Sequence, residues 1–170
     1  MKRIVAVFLV VLMVAGLVAC GGGATGRQQA EYIESLEEFR DSALTVGVRA
    51  ETLSGAVQRV WREAIDDRED FNDALRAFSS QDNVITSRAE IRDMRSEVVS
   101  MYLRLGAPPE GLERAGAAAS AMYVALDVLI DLATSPTGSL TSYSESRREA
   151  IDEFMRNYRL LGDIIDAFGD

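Results

Sequence analysis

Apolar residues spaced alternately three and four positions apart run through the first half of the chain. Side chains at this spacing fall on one narrow face of an α-helix. Glu, Asp and Arg occupy many of the positions between them. The spacing therefore predicts one long helix over about Gln28 to Asp67, in which Gly47 and Gly55 leave room for a bend. The members of this seam are Tyr32, Leu36, Phe39, Ala43, Val46, Ala50, Leu53, Val57, Val60 and Ala64.

The same spacing resumes after the charged run Asp66–Asp70. Phe71, Leu75 and Phe78 indicate a short helical segment that ends near residues 79–83. A second long helix follows and is stopped by Gly106 and the Pro108-Pro109 pair, because glycine is favoured just past a helix end and proline in the next first turn. Its seam comprises Ile91, Met94, Val98, Met101 and Leu105.

Two more long helices are predicted from the remaining sequence. The third begins near Pro109 or Glu110 and ends at the turn residues 135–139. Ser142 followed by Glu145 fits a capping box at the start of the fourth. Their seams are Leu112, Ala115, Ala119, Met122, Leu126, Leu129 and Ala133, and then Ile151, Phe154, Tyr158, Leu161, Ile165 and Phe168.

No stretch alternates with the period of two that a half-buried strand requires. Long helices joined by short turns favour antiparallel neighbours. The sequence therefore predicts an all-α fold: an antiparallel up-down bundle of about four long helices with left-handed, coiled-coil-like packing. Residues 28–170 are expected to form this single domain.

The first twenty residues have a different character. Lys2 and Arg3 precede an unbroken apolar run from Ile4 to Ala19, and these are the parts of a secretory signal peptide. The run covers 16 residues, whereas a membrane-spanning helix needs about 20. We therefore expect residues 1–19 to be a signal peptide that is removed.

Leu17-Val18-Ala19-Cys20 resembles the lipobox of bacterial lipoproteins. The resemblance implies cleavage between Ala19 and Cys20 and a diacylglyceryl group, with fatty acyl chains such as palmitate, on the Cys20 thiol. Two acyl chains anchor a protein stably, so it also implies attachment to the outer face of a bacterial membrane, cytoplasmic or outer. Residues 20–27 are then a Gly-rich tether. The alternatives are an uncleaved anchor and an ordinary secretory signal with a chance cysteine.

The body of the chain is similar to uncharacterised small helical-bundle lipoproteins. The similarity lies in a Trp-x-x-Ala-Ile element at Trp61–Ile65, the Pro108-Pro109 turn and a Pro-x-Gly-Ser-Leu turn at Pro136–Leu140. It implies no activity and no catalytic residue.

Composition restricts the chemistry of the mature chain. The chain contains no histidine, and its one lysine, Lys2, belongs to the predicted signal peptide. Imidazole bases, histidine metal ligands, Schiff bases and P-loop lysines are therefore excluded. Removing Lys2 and Arg3 leaves 16 arginines against 27 acidic residues, and such an acidic domain does not neutralise phosphates, so nucleic-acid binding is not expected. We predict no cofactor, no metal and no catalytic residue.

The middle of the third helix is almost without side chains over Ala115–Ala121. Small residues let another backbone approach closely, so this stretch suits a groove for a ligand or partner helix. The favoured interpretation is a face packed by large residues such as Phe39, Trp61 or Phe154. Trp61 is the only tryptophan. We expect it in the core or at its boundary, and not as a residue that contacts a bound ligand or the membrane interface.

Charged groups supply the other candidate sites. The run Asp66–Asp70 lacks the glycine and spaced acids of a calcium loop, and we interpret it as a solvated helix end. Asp127 and Asp131 lie one turn apart and, if buried, would suit acid-base chemistry. A solvent-facing position, or pairing with an arginine of a neighbouring helix, is the favoured interpretation. Arg147 and Arg148 are interpreted as surface charges and not as an anion site.

Together these features favour a membrane-anchored, non-enzymatic interaction or structural module of the bacterial cell envelope, with an envelope protein as partner. The alternative is a small-ligand-binding protein or a carboxylate-dependent enzyme with a pocket in the bundle. Surface exclusion of phage or DNA is a third hypothesis, which rests on the anchor alone.

Overall fold

The part of the chain that the structure describes forms five helices joined by short turns. In the computed structural model, residues 25–168 are described in full. The predicted signal peptide, its Ala19–Cys20 cleavage site and most of the tether lie outside these residues, which contain no strand. The all-helical prediction is confirmed. The helices are α1 (Lys2–Asp66), α2 (Phe71–Ser79), α3 (Asp82–Leu105), α4 (Glu113–Thr134) and α5 (Leu140–Gly169).

Helix α1 buries the predicted seam almost completely. Its members from Tyr32 to Ala64 are buried except Val60, which is half-buried while the adjacent Trp61 is 3% exposed. The helix continues through both of its central glycines. These glycines admit side chains from α5, because an added Cβ would lie 3.2 Å from the ring of Phe154 at Gly47 and 3.2 Å from Arg147 Nη2 at Gly55. Close packing, and not a break in the helix, accounts for both positions.

The charged run after α1 is exposed, as predicted. Arg68 adopts a φ of 58°, in the left-handed region that ends a helix. Asp70 then caps α2, since its side chain accepts hydrogen bonds from the main-chain nitrogens of Asn72 at 2.9 Å and Asp73 at 3.1 Å. This run therefore ends α1 and caps the start of α2.

Helix α4 begins at Glu113, later than the predicted start at Pro109 or Glu110. Gly111 has a φ of 86°, which is incompatible with a right-handed helix. The nitrogen of Leu112 donates to the carbonyl oxygen of Pro109 at 3.0 Å and closes a turn ahead of the helix. The prolines therefore belong to the connection, not to the first turn of α4.

The start of α5 is also shifted from the prediction. Ser139 N donates to Ser142 Oγ at 3.1 Å, and Ser142 N donates to Ser139 Oγ at 3.2 Å. This reciprocal pair is a capping box one turn earlier than the predicted box of Ser142 and Glu145. At the other end of the helix, the predicted seam residue Phe168 is 40% exposed.

Helix α4 lies at the centre of the core and contacts α1, α3 and α5. By length and composition alone it is apolar enough to cross a membrane, but 44% of its most apolar window is buried inside the molecule. A core helix passes the same test.

One side of the small-residue stretch of α4 is packed against the rest of the molecule. Ala115, Ala118 and Ala119 are each 3% exposed or less. An added Cβ at Gly116 would lie 2.9 Å from Pro108 Cγ, so this side of the stretch is packed, whereas Ala117 is exposed and Ala121 is half-buried.

A second, smaller cluster closes the end of the molecule near α2. It consists of Val57, Trp61 and Tyr143, which are 3% exposed or less. Trp61 stacks on Phe71 of α2 with ring centroids 5.4 Å apart. The prediction that Trp61 is a core residue is confirmed, whereas Tyr143 was not among the predicted core residues.

Candidate binding surfaces

A surface groove about 740 Å³ in volume lies between α4 and α5. Its floor consists of Ala121, Val124, Ala125 and Val128 of α4 and Ala150 of α5. Val124 is 58% exposed and Val128 is 42% exposed. The four α4 residues have the i, i+3, i+4 and i+7 spacing by which apolar anchors are presented along a helix. The groove is thus an open apolar strip about two helical turns long.

The α5 side of this groove is acidic. Glu149, Asp152, Glu153 and Arg156 line it. Glu153 Oε1 accepts a 2.7 Å hydrogen bond from Asn157 Nδ2, and Glu153 also forms an ion pair with Arg156. Glu149 and Asp152 form no ion pair with any residue in the described range. The rim therefore carries net negative charge beside an apolar floor.

Asp127 and Asp131 are brought to Arg95 of the neighbouring helix α3. Arg95 Nη2 lies 2.5 Å from Asp127 Oδ1, and Arg95 Nη1 lies 3.0 Å from Asp131 Oδ1. Burial lowers the pKa of Arg95, but the charges of the two carboxylates outweigh it and raise the pKa overall. The two aspartates therefore pair with an arginine of a neighbouring helix, which is one of the two favoured interpretations.

Tyr143 joins α5 to α1 and α4. Its hydroxyl lies 3.1 Å from the carbonyl oxygen of Ser54 and 2.9 Å from that of Leu132, and donates to one of them at a time. Burial raises the pKa of the Tyr143 phenol, against the smaller opposing effects of Arg147 and Arg88. The hydroxyl is a buried donor that connects three helices.

Arg147 differs from its predicted role as a surface charge. Its Nε donates to Ser54 Oγ at 3.0 Å, and its Nη2 donates to the main-chain oxygen of Glu51 at 3.3 Å. The side chain is 20% exposed and ion-pairs with Glu51 at 3.5 Å. These contacts connect α5 to α1. The guanidinium fits between the two helices because Gly55 has no side chain. Arg148 is exposed, as predicted.

The groove residues Val124, Val128, Glu149 and Asp152 were not predicted as a site. One sequence feature could have indicated the first two. Val124 and Val128 lie outside the three-four seam of α4, so a helix buried only along that seam leaves them exposed. The acidic residues of α5 carry no such indication, since charges on a solvated helix face are ordinary.

Comparison with known proteins identifies no relative: no protein-family model, no curated protein and no solved structure matches this chain. Within residues 25–168, no group of three or more His, Cys, Asp or Glu side chains is arranged to hold a metal ion. The surfaces themselves are therefore the basis for a functional proposal.

Proposed function

We propose that this protein is a lipid-anchored, non-enzymatic helical module of a bacterial cell envelope that binds a partner protein in the α4–α5 groove. The observation that carries the proposal is the exposure of Val124 and Val128 beside Glu149 and Asp152, two carboxylates that form no ion pair within residues 25–168. Exposed apolar strips with polar rims are typical of protein interaction sites. The small residues Ala121, Ala125 and Ala150 allow a partner backbone to approach closely.

The occupant that best fits this groove is an amphipathic helix with basic flanking residues. Its apolar anchors would cover Val124 and Val128, and its Arg or Lys side chains would face Glu149 and Asp152. A second copy of this acidic chain, docked through the same groove, would set like charges against each other. An anionic membrane surface would be repelled for the same reason.

Anchoring is proposed at Cys20, after removal of residues 1–19, with residues 20–27 as the tether. The acyl chains, and not the acidic surface of the domain, would then supply membrane affinity. The proposed location is the outer face of a bacterial membrane.

The finer arrangement proposed for the helices is an up-down bundle with antiparallel neighbours and left-handed, coiled-coil-like packing. Contacts between α1 and α5 support the antiparallel part of this proposal: Gly47 approaches Phe154, whereas Gly55, later in α1, approaches Arg147, earlier in α5. Contacts that run in opposite order along two helices are those of an antiparallel pair. In this arrangement α4 and α5 are sequence neighbours that share the groove along their length.

Site-specific photo-crosslinking in intact cells tests the proposed interaction. A photoreactive amino acid replaces Val124 in one variant and Ile85 in a matched control. Ile85 of α3 is 53% exposed and does not line the groove. We expect one reproducible protein adduct at position 124 that is absent at position 85, with the linked peptide in a basic amphipathic helix. Equal labelling at the two positions, or no adduct at 124, contradicts the proposal.

A further inference from the structure

Arg88 of α3 differs from every other partly buried arginine in residues 25–168. Among the described residues it forms no ion pair and no hydrogen bond, and its Nε is a buried donor without a partner there. The exposed arginines are solvated and need no partner. The other partly buried ones are all paired: Arg40 with Asp41, Arg95 with Asp127 and Asp131, and Arg147 with Glu51.

Arg88 lines a cleft of about 770 Å³ between α2, α3 and the end of α4. The chain has 27 acidic residues against 18 basic ones, yet no carboxylate is among the residues that line this cleft. The polar lining consists of Arg88, Arg76, Asn72 and the hydroxyls of Ser79, Ser80 and Thr134, and Leu75, Ala77 and Pro136 add apolar surface. The cleft is shallow and open to solvent, and its volume lies within the range of small-molecule sites.

The electrostatics of the cleft favour an anion. Burial and the nearby charge of Arg92 lower the pKa of Arg88, with Tyr143 acting in the opposite direction. A guanidinium nevertheless stays protonated at neutral pH, so a partly desolvated charge here lacks a counter-ion from the protein. Carboxylates and phosphates match the planar fork of a guanidinium and form its strongest hydrogen bonds.

We infer that the cleft between α2, α3 and the end of α4 binds the oxyanion group of a small organic molecule, a carboxylate or a phosphate, with Arg88 as the anchoring cation. Asn72 would contribute an amide donor, and Leu75 and Pro136 would contact the apolar part of the ligand. This site is separate from the α4–α5 groove and stands independently of the proposed partner helix.

Titration of the full lipoprotein in detergent micelles tests the inference. Acetate and inorganic phosphate are added separately at constant ionic strength, with chloride as the reference, and amide chemical shifts are followed by NMR. We expect saturable shifts around Asn72 and Thr134 with a dissociation constant of millimolar order. The oxyanion that binds more tightly identifies the class of ligand. Absence of saturation with both anions overturns the inference.

Variants separate a specific site from general charge attraction. Arg88→Gln is expected to weaken binding by about tenfold or more, as loss of a charge-assisted hydrogen bond requires. Arg92→Gln is the matched control, since it removes an exposed charge one turn away, and it is expected to retain binding within about twofold. Equal loss in both variants overturns the inference. Arg88→Lys keeps the charge but not the fork, and unaltered affinity in a folded Arg88→Lys protein also counts against it.

Discussion

The hydroxyl of Tyr143 on α5 lies 3.1 Å from the carbonyl oxygen of Ser54 on α1. Ser54 is itself buried, and its hydroxyl accepts a hydrogen bond from Arg147, one turn after Tyr143. The two α5 side chains therefore hold one short segment of α1 through both its main chain and its side chain. This connection ties the small aromatic cluster to the main core.

Removing this hydroxyl by Tyr143→Phe is expected to lower the free energy of unfolding by about 1 kcal/mol, the usual net value of one hydrogen bond. Urea denaturation followed by circular dichroism measures the change. Tyr123→Phe is the matched control, because Tyr123 is partly buried and its hydroxyl forms no hydrogen bond within the described chain. Its stacking on Tyr102 survives in phenylalanine. Equal stability of the Tyr143→Phe and wild-type proteins would show that the hydroxyl contributes nothing.

Alkaline pH is expected to destabilise the protein through the same phenol. Because burial raises the pKa of Tyr143 above its ordinary value of 10.0, the unfolded chain loses this proton at lower pH than the folded chain does. Stability is therefore unaffected by Tyr143 below about pH 10 and falls as the pH rises above it. Urea unfolding at pH 9 to 11 should show a steeper loss for wild type than for Tyr143→Phe. Parallel curves would contradict this assignment.

Gly116→Ala is expected to destabilise the protein although alanine favours helix by about 1 kcal/mol over glycine. The new Cβ would lie 2.9 Å from Pro108 Cγ and 3.1 Å from Pro108 Cβ, and a proline ring has little freedom to move. Overpacking of this kind costs about 1 to 3 kcal/mol. Gly26→Ala is the control, since an added Cβ there meets nothing within 4 Å and should be neutral or stabilising. A more stable Gly116→Ala protein would refute the close contact.

Val124→Asp is expected to abolish partner binding while leaving the free energy of unfolding within about 0.5 kcal/mol of wild type, as for other exposed positions. The carboxylate interrupts the apolar strip and adds to the negative rim. Ile85→Asp, at similar exposure on α3, should affect neither property. Stability is measured by thermal unfolding and binding by co-purification after in-cell crosslinking. Partner recovery undiminished in Val124→Asp would exclude the groove as the binding surface.

Cys20→Ser is expected to abolish labelling by radioactive palmitate and to release the protein from the membrane fraction. The reason is that Cys20 is the only cysteine of the chain, so no second thiol can replace it. Cell fractionation with immunoblotting gives the distribution. A cleaved Cys20→Ser protein that stays bound to the membrane would disprove anchoring through this thiol.

Much of the fold follows from local sequence rules. The seam of α1 is buried almost completely, as predicted. Spacing of three and four residues sets side chains on one helix face, and this does not depend on which helix packs against that face. The predicted end of α1 at Asp67 is one residue beyond the observed end at Asp66. The predicted start of α4 is too early because Pro109 is compatible with a first helical turn, and only the φ of Gly111 shows that the chain turns instead.

The candidate binding surfaces are less predictable from the sequence than the helices. Asp127 and Asp131 were recognised as a pair, and an arginine partner was anticipated, but the sequence does not identify it as Arg95. Arg147 is predicted as a surface charge because its residue type does not reveal that Gly55, on another helix, leaves space for its guanidinium. The sequence does not single out Val124 as a surface residue, because it is an apolar residue in a helix that is apolar on most sides.

The helical class, most of the seam positions and the side-chain chemistry available to residues 28–170 follow from the sequence alone, because helix periodicity and residue type are local properties. Which charges are paired depends on the tertiary structure. Arg95 and Arg147 meet carboxylates on other helices, whereas Arg88 is partly buried facing a cleft lined by none. The same holds for burial: Val124 is 58% exposed, whereas Leu126, two residues later in the same helix, is 1% exposed. Burial and pairing depend on which helices become neighbours, and that is a property of the assembled fold.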